Sequence, residues 1–172
     1  MKRVNFEFKA RMRDERRVRR ALKQLGARYV GLDHQVDTYF NAPKGRLKVR
    51  EGKIENALIY YRRTNSARAR RSSVDLMLLP RRSSLRAILS QVLTPRVVVD
   101  KKREIYFVGN VKIHLDRVRG LGKFLEVEAI TRTGRMDRAR GQALRFQKLF
   151  GVVRKDIVPQ SYSDLVSSKS AR

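Results

Sequence analysis

The chain has 172 residues, with 42 Lys and Arg against 16 Asp and Glu, a formal charge of +26. Such a field draws polyanions of any kind without choosing among them. The absence of Cys excludes disulfides, a thiolate metal site and a cysteine nucleophile. No apolar run reaches the ~20 residues that a bilayer requires, and Met1 leads into a strand with no signal-like core. One cytoplasmic domain over residues 1–166, with no membrane partner and a frayed tail at 167–172, is the expectation.

Val4 to Met12 alternates strictly, with Val4, Phe6, Phe8 and Ala10 apolar and Asn5, Glu7, Lys9 and Arg11 polar or charged. Period two predicts a strand with one packed face and one charged face. Asp14 is a candidate N-cap for a helix whose Val18, Ala21, Leu22 and Leu25 form one stripe, and Gly26 can end it. Strands are predicted at 35–40, 46–51 and 57–63, then an Arg-rich connection at 65–71 and a strand at 74–79. Ser83 or Ser84 should cap a second amphipathic helix carrying Leu85, Ile88, Leu89 and Val92.

The long β-branched segment 96–108, the dipeptide Gly109-Asn110 and the segment 111–118 predict a two-residue hairpin. Pairing Val108 with Val111 sets Arg103 against Asp116, Ile105 against His114 and Phe107 against Lys112. The strand 124–130 follows. Its Glu126 and Glu128 share a face with Asp116 only if the Gly120/Gly122 connection has an odd count or a bulge. A third helix is predicted over 137–150, with Ala139, Ala143, Phe146 and Phe150 inward, and a short turn over 161–166 closes the chain.

Several strands repeat the apolar/charged split, so the expected fold is α+β: a closed antiparallel β-barrel of about eight strands forming a polar tunnel, with helices packed outside. By parity the inward cations are Lys9, Arg11, Arg46, Lys48, Arg50, Arg63, Lys101 and Arg103, and the inward carboxylates are Glu7, Asp116, Glu126 and Glu128.

Asn5-Phe-Glu-Phe-Lys9, Asp37-Thr-Tyr-Phe40, Gly45-Arg-Leu-Lys-Val-Arg-Glu51 and Ala57-Leu-Ile-Tyr-Tyr-Arg-Arg63 occur in that order. They are followed by Lys101-Lys-Arg103, Val111-Lys-Ile-His-Leu-Asp116, Gly120-Leu-Gly-Lys-Phe-Leu-Glu-Val-Glu128 and Ser161-Tyr-Ser-Asp-Leu165. The series resembles the CYTH domains, or triphosphate tunnel metalloenzymes, most closely their class IV adenylate cyclase-like branch. It departs from the Glu-x-Glu-x-Lys signature by placing Asn5 at the first Glu position, which removes one negative charge and would reduce the site to a single ion.

That resemblance implies a Mg²⁺- or Mn²⁺-dependent enzyme acting on a triphosphate, either a cyclase that closes ATP to cyclic AMP and pyrophosphate or a triphosphatase. It implies metal ligation by Glu7, Asp116, Glu126 and Glu128, and triphosphate binding by Lys9, Arg46, Lys48, Arg50, Arg63, Lys101 and Arg103, Arg being able to bridge two phosphate oxygens. Lys9, Glu126 and Glu128 are the expected catalytic set. His114 is read as a structural hydrogen-bonder, and Tyr39 and Tyr162 as packing residues. A homodimer is a further expectation from the resemblance. Nonspecific contact with nucleic acid through the basic exterior is the alternative for a barrel without catalysis.

Overall fold

Residues 2–63, 69–131 and 136–170 are described by a computed structural model. Eight strands form its frame: β1 (Lys2–Arg11), β2 (Arg28–Phe40), β3 (Arg46–Glu51), β4 (Ala57–Arg63), β5 (Arg70–Leu78), β6 (Pro95–Val108), β7 (Val111–Val118) and β8 (Gly122–Thr131). All adjacent pairs are antiparallel, and the order β1-β5-β4-β3-β2-β6-β7-β8 closes as β8 pairs with β1. The barrel expected from the alternation is the fold observed.

The apolar core of this barrel lies largely on its outside. Phe8 and Ala10 of β1, Ile113 and Leu115 of β7, and Leu125 and Val127 of β8 point outward. They are covered by helix α1 (Glu15–Gln24) through Val18, Ala21 and Leu22, and by helix α3 (Met136–Leu149) through Ala139, Ala143 and Phe146. Asp14 caps α1 as expected, its Oδ1 accepting from Arg17 N at 2.8 Å. With these side chains turned outward, period two turns the charged residues of the same strands into the lumen, whose end nearest Tyr162 is filled by a second apolar cluster including Tyr39, Ile59, Tyr61, Val74, Val99 and Phe124.

Several boundaries differ from the sequence reading. β2 begins at Arg28, not Gln35, because Gly31 (φ +147°) carries the strand through a register shift against β6. Arg70 and Arg71, read as connection, open β5; residues 65–68 of that connection lie outside those described. Helix α2 (Leu85–Val92) forms where expected, yet buries no residue: Ile88 and Val92 are exposed. The closing segment is not a short turn. After a single 3₁₀ turn at Arg154–Asp156, helix α4 (Tyr162–Ser170) lies across one end of the barrel, anchored by Arg46 and Lys169.

The β6–β7 hairpin has the expected register, with Arg103 opposite Asp116 and Ile105 opposite His114. Val118 then pairs with Gly122, so the intervening connection has three residues, the odd count that puts Glu126 and Glu128 on the inner face.

Candidate active site

Register alone brings the acids together. On β1 and β8, Glu7 stands opposite Glu128 and Lys9 opposite Glu126; on β7 and β8, His114 stands opposite Glu126 and Lys112 opposite Glu128. These side chains share a cavity of about 80 Å³ with Asn5, Lys48, Arg50, Arg63, Arg103 and Tyr162.

One oxygen each from Glu126 and Glu128 and a ring nitrogen of His114 lie within 4.8 Å of one another. His114 is 1% exposed, and neither ring nitrogen has a hydrogen-bond partner; its Nδ1 is 3.6 Å from Glu126 Oε2, beyond bonding reach. Asn5 Oδ1 is buried without a partner as well, while Asn5 Nδ2 donates weakly to Glu128 Oε2 at 3.5 Å. Orphaned acceptors beside two carboxylates are costly unless a ligand satisfies them. Burial and the neighbouring Arg103 push the His114 pKa down, which favours the neutral imidazole that can ligate. Burial opposes ionisation of Glu126, but His114, Arg103 and Lys9 hold it well below the usual carboxylate range. The donor set therefore fits a divalent cation.

Cations and remaining carboxylates interlock around this cluster. Arg103 Nε and Nη2 donate to the two oxygens of Asp116 at 2.6 and 2.5 Å, and Nη2 also to Glu126 Oε2 at 2.7 Å. Glu7 accepts from Arg63 and lies 3.7 Å from Arg70. Lys9 Nζ donates to Gln160 O at 2.7 Å and sits 4.2 Å from the centre of the Tyr162 ring. Its burial, reinforced by Arg63 and Arg70 against the pull of Glu126, brings the ammonium down to about 7.

On the β2/β3/β6 wall a single carboxylate organises three cations. Asp37, fully buried, accepts from Lys48 at 2.7 Å, Lys101 at 2.7 Å and both Nε (2.8 Å) and Nη2 (3.0 Å) of Arg50. Burial would raise Asp37, but Arg50, Lys101 and Lys48 hold it well below its ordinary value.

A second carboxylate arrives from a turn. Asp33 accepts the backbone N–H groups of Lys53, Ile54 and Glu55 at 2.7–3.0 Å, which fixes the β3–β4 turn over the barrel. Glu55 is thereby held where it accepts from Arg50 at 2.9 Å and from Lys112. Beyond it the tunnel opens into a mouth of about 420 Å³ lined by Ile54, Leu76, Leu78 and Leu79 together with Arg3, Lys53 and Arg81.

Of the residues expected at the site, Glu7, Lys9, Lys48, Arg50, Arg63, Arg103, Glu126 and Glu128 line the central cavity. Lys101 stands behind Asp37, Asp116 behind Arg103, and Arg46 at the α4 end, where its Nη2 donates to Asp164 at 2.8 Å. Arg11 is exposed at the rim, 4.4 Å from the centre of the Phe124 ring. Tyr39 and Tyr162 pack as expected, and each also places its hydroxyl among the charges: Tyr39 accepts from Lys48 at 3.2 Å, and Tyr162 donates to Asp116 at 2.7 Å. The sequence reading did not single out Asp37, Glu55, Arg70 or Lys112. Asp37 and Lys112 were open to the same parity argument, whereas a turn carboxylate has no period to reveal it.

The closed interior of this antiparallel barrel thus carries interlocked Lys, Arg, Asp and Glu side chains, with Tyr39, Ile59, Tyr61, Val74 and Tyr162 completing the cavity wall. A family model described as the CYTH domain matches residues 4–162, and the chain belongs to that family. It is 24% identical over 173 residues to a Methanocaldococcus jannaschii protein named as a candidate adenylate cyclase, covering 94% of this chain and 98% of that one. A protein of Pyrococcus horikoshii shares its fold at TM-score 0.80 and 22% identity, over 94% of this chain and 98% of the other. So does a Hippeastrum protein, described as a candidate adenylyl cyclase with a dominant triphosphatase activity, at TM-score 0.60 and 16% identity over 98% and 96% of the two chains.

Proposed function

We propose that this chain is a divalent-metal-dependent adenylate cyclase of the class IV type, converting ATP to cyclic AMP and pyrophosphate in its tunnel. The observation that carries the reading is the His114–Glu126–Glu128 cluster set beside Lys9, Arg63 and Arg103 in one buried cavity. The mouth adds room of the size in which organic ligands bind, with an apolar wall for a nucleoside.

Glu126, Glu128 and His114 would hold Mg²⁺ or Mn²⁺, the imidazole favouring the softer Mn²⁺. When bound, the ion would neutralise charge on the phosphate oxygens. Lys48, Arg50, Arg63 and Arg103 line the route a triphosphate would take and would replace its water shell with fixed positive charge. Phosphate that draws Arg63 and Arg103 forward would free Glu7 and Asp116 to complete the carboxylate set. Arg46 and Lys101 would join the cage by exchanging Asp164 and Asp37 for phosphate.

Lys9, with its amine drawn close to neutrality, would accept the proton of the ribose 3′-hydroxyl. The 3′-oxygen then bonds to the α-phosphorus as the bond to the α,β-bridging oxygen breaks and pyrophosphate leaves.

Hydrolysis by water at the terminal phosphorus is the second reading, favoured by the dominant triphosphatase activity described for the Hippeastrum neighbour. Incubation with ATP and, separately, tripolyphosphate, each with Mn²⁺ or Mg²⁺, tests both. Cyclic AMP with pyrophosphate supports the cyclase. ADP with phosphate from ATP, or diphosphate with phosphate from tripolyphosphate, supports hydrolysis. No turnover of either overturns both.

A further inference from the structure

Inside the barrel the carboxylates offset most of the cations and leave only a small surplus around Asp37, so most of the +26 lies on the exterior. One face concentrates it. Helices α1 and α3 pack on one outer core with β1, β7 and β8, and they touch where Arg17 Nε donates to Leu149 O at 3.4 Å. Along α1, Arg16, Arg20 and Lys23 fall at i, i+4 and i+7, opposite the buried Val18, Ala21 and Leu22. On α3, Arg140, Arg145 and Lys148 are exposed while Ala139, Ala143 and Phe146 are buried. Among the described residues, none of these six cations is ion-paired to a carboxylate; the two acids that open α1 are spent, Asp14 on its cap and Glu15 on Arg19 and Lys123.

We propose that the α1/α3 face binds the phosphate backbone of duplex nucleic acid, independently of the reaction in the tunnel. At 1.5 Å of rise per residue the α1 ridge spans about 10 Å, and a duplex offers roughly one charge per 1.7 Å of axis, so long Lys and Arg side chains reach several phosphates at once. The partner is a duplex and not a single strand, because neither helix exposes an aromatic ring on which an unpaired base could stack: Phe146 is buried. It is not a membrane, because the apolar stripes of both helices are used against the barrel. Leu144 and Leu149 are the large apolar side chains that α3 leaves exposed, too few for an inserting face. The six cations reach phosphates and not base edges, so the binding is independent of sequence.

Fluorescence anisotropy with labelled duplex DNA and duplex RNA of unrelated sequences, across a salt series, tests this. The intact chain should bind both with log K falling linearly in log salt. Arg16→Gln, Arg20→Gln and Lys23→Gln together should weaken binding at least tenfold near 0.15 M salt, with the melting temperature unchanged. The salt slope should become shallower by about 0.9 for each phosphate that is no longer neutralised. Glu126→Gln, in the tunnel, should leave duplex binding intact. Three results would overturn the proposal: duplex binding indifferent to the α1 triple variant, stronger binding to single strands than to duplexes, or capture by phosphatidylserine vesicles without duplex binding.

Discussion

The two sides of the barrel wall are held by opposite physics. Outside β1, β7 and β8, aliphatic and aromatic residues meet α1 and α3, and burial of apolar area supplies the stabilisation. Inside, Lys9, Lys101, Arg103, Asp37 and Asp116 are each less than 3% exposed; the last four are kept by ion pairs and Lys9 by the Gln160 carbonyl. Buried pairs return little net stability, because desolvation of both ions offsets their attraction. Placing the larger apolar cluster outside leaves much of the interior to charged side chains, and stability and turnover should respond separately to substitution on the two sides.

The largest effects test that separation directly. Phe146→Ala, on the outer side, should cost about 3–5 kcal/mol of unfolding free energy in denaturant titration while leaving turnover per folded molecule unchanged. Asp37→Ala should cost a similar 3–5 kcal/mol for the opposite reason, since it strands Lys48, Arg50 and Lys101 without their common carboxylate. If Asp37→Ala unfolds like the intact chain, the interior cations are better solvated than their burial implies and the comparison breaks. Next comes Glu126→Gln, which keeps an oxygen for Arg103 but removes a charge from the cluster with His114 and Glu128. Turnover should fall about 10²–10³-fold, and calorimetry should show weakened Mn²⁺ binding, with little change in melting. Unaltered Mn²⁺ affinity would sink the ligand assignment.

How far the sequence revealed each side follows from the same contrast. Alternation in β1, β3 and β8 exposed the barrel, and Gly109-Asn110 fixed the β6–β7 register residue by residue, because pleat and turn geometry act locally. The opening of β2 was hidden because Tyr29-Val-Gly-Leu32 does not alternate, and its extension through Gly31 depends on pairing with β6. Arg70 resembled loop because its place opposite Glu7 is a tertiary fact. Glu55 reaches the lumen only because Asp33, twenty or so residues earlier, gathers the amides of its turn. The stripe on α2 obeyed helical spacing, yet spacing reports amphipathicity and not what covers the apolar face.

The smallest effect concerns the surplus cation on the Asp37 wall. Burial, aided by Arg50 and Arg103 and opposed by Asp37, draws Lys101 from its ordinary 10.5 to about 7. Between those values the unfolded chain holds the proton that the folded chain has released, so Lys101 makes stability climb as pH rises from 7 towards 10. Lys101→Met removes that proton but leaves Asp37 paired with Lys48 and Arg50. At pH 7 the variant should therefore be at least as stable as the intact chain, and at higher pH the intact chain should gain on it by roughly 1 kcal/mol per pH unit or less. Lys9, drawn to the same value, contributes equally to both proteins and drops out of the difference. Parallel stability–pH curves would mean that Lys101 keeps its proton in the fold. A diverging pair would mean that the interior holds positive charge at a cost that an entering polyanion relieves, and tripolyphosphate should then raise the melting temperature of the intact chain more than that of the variant.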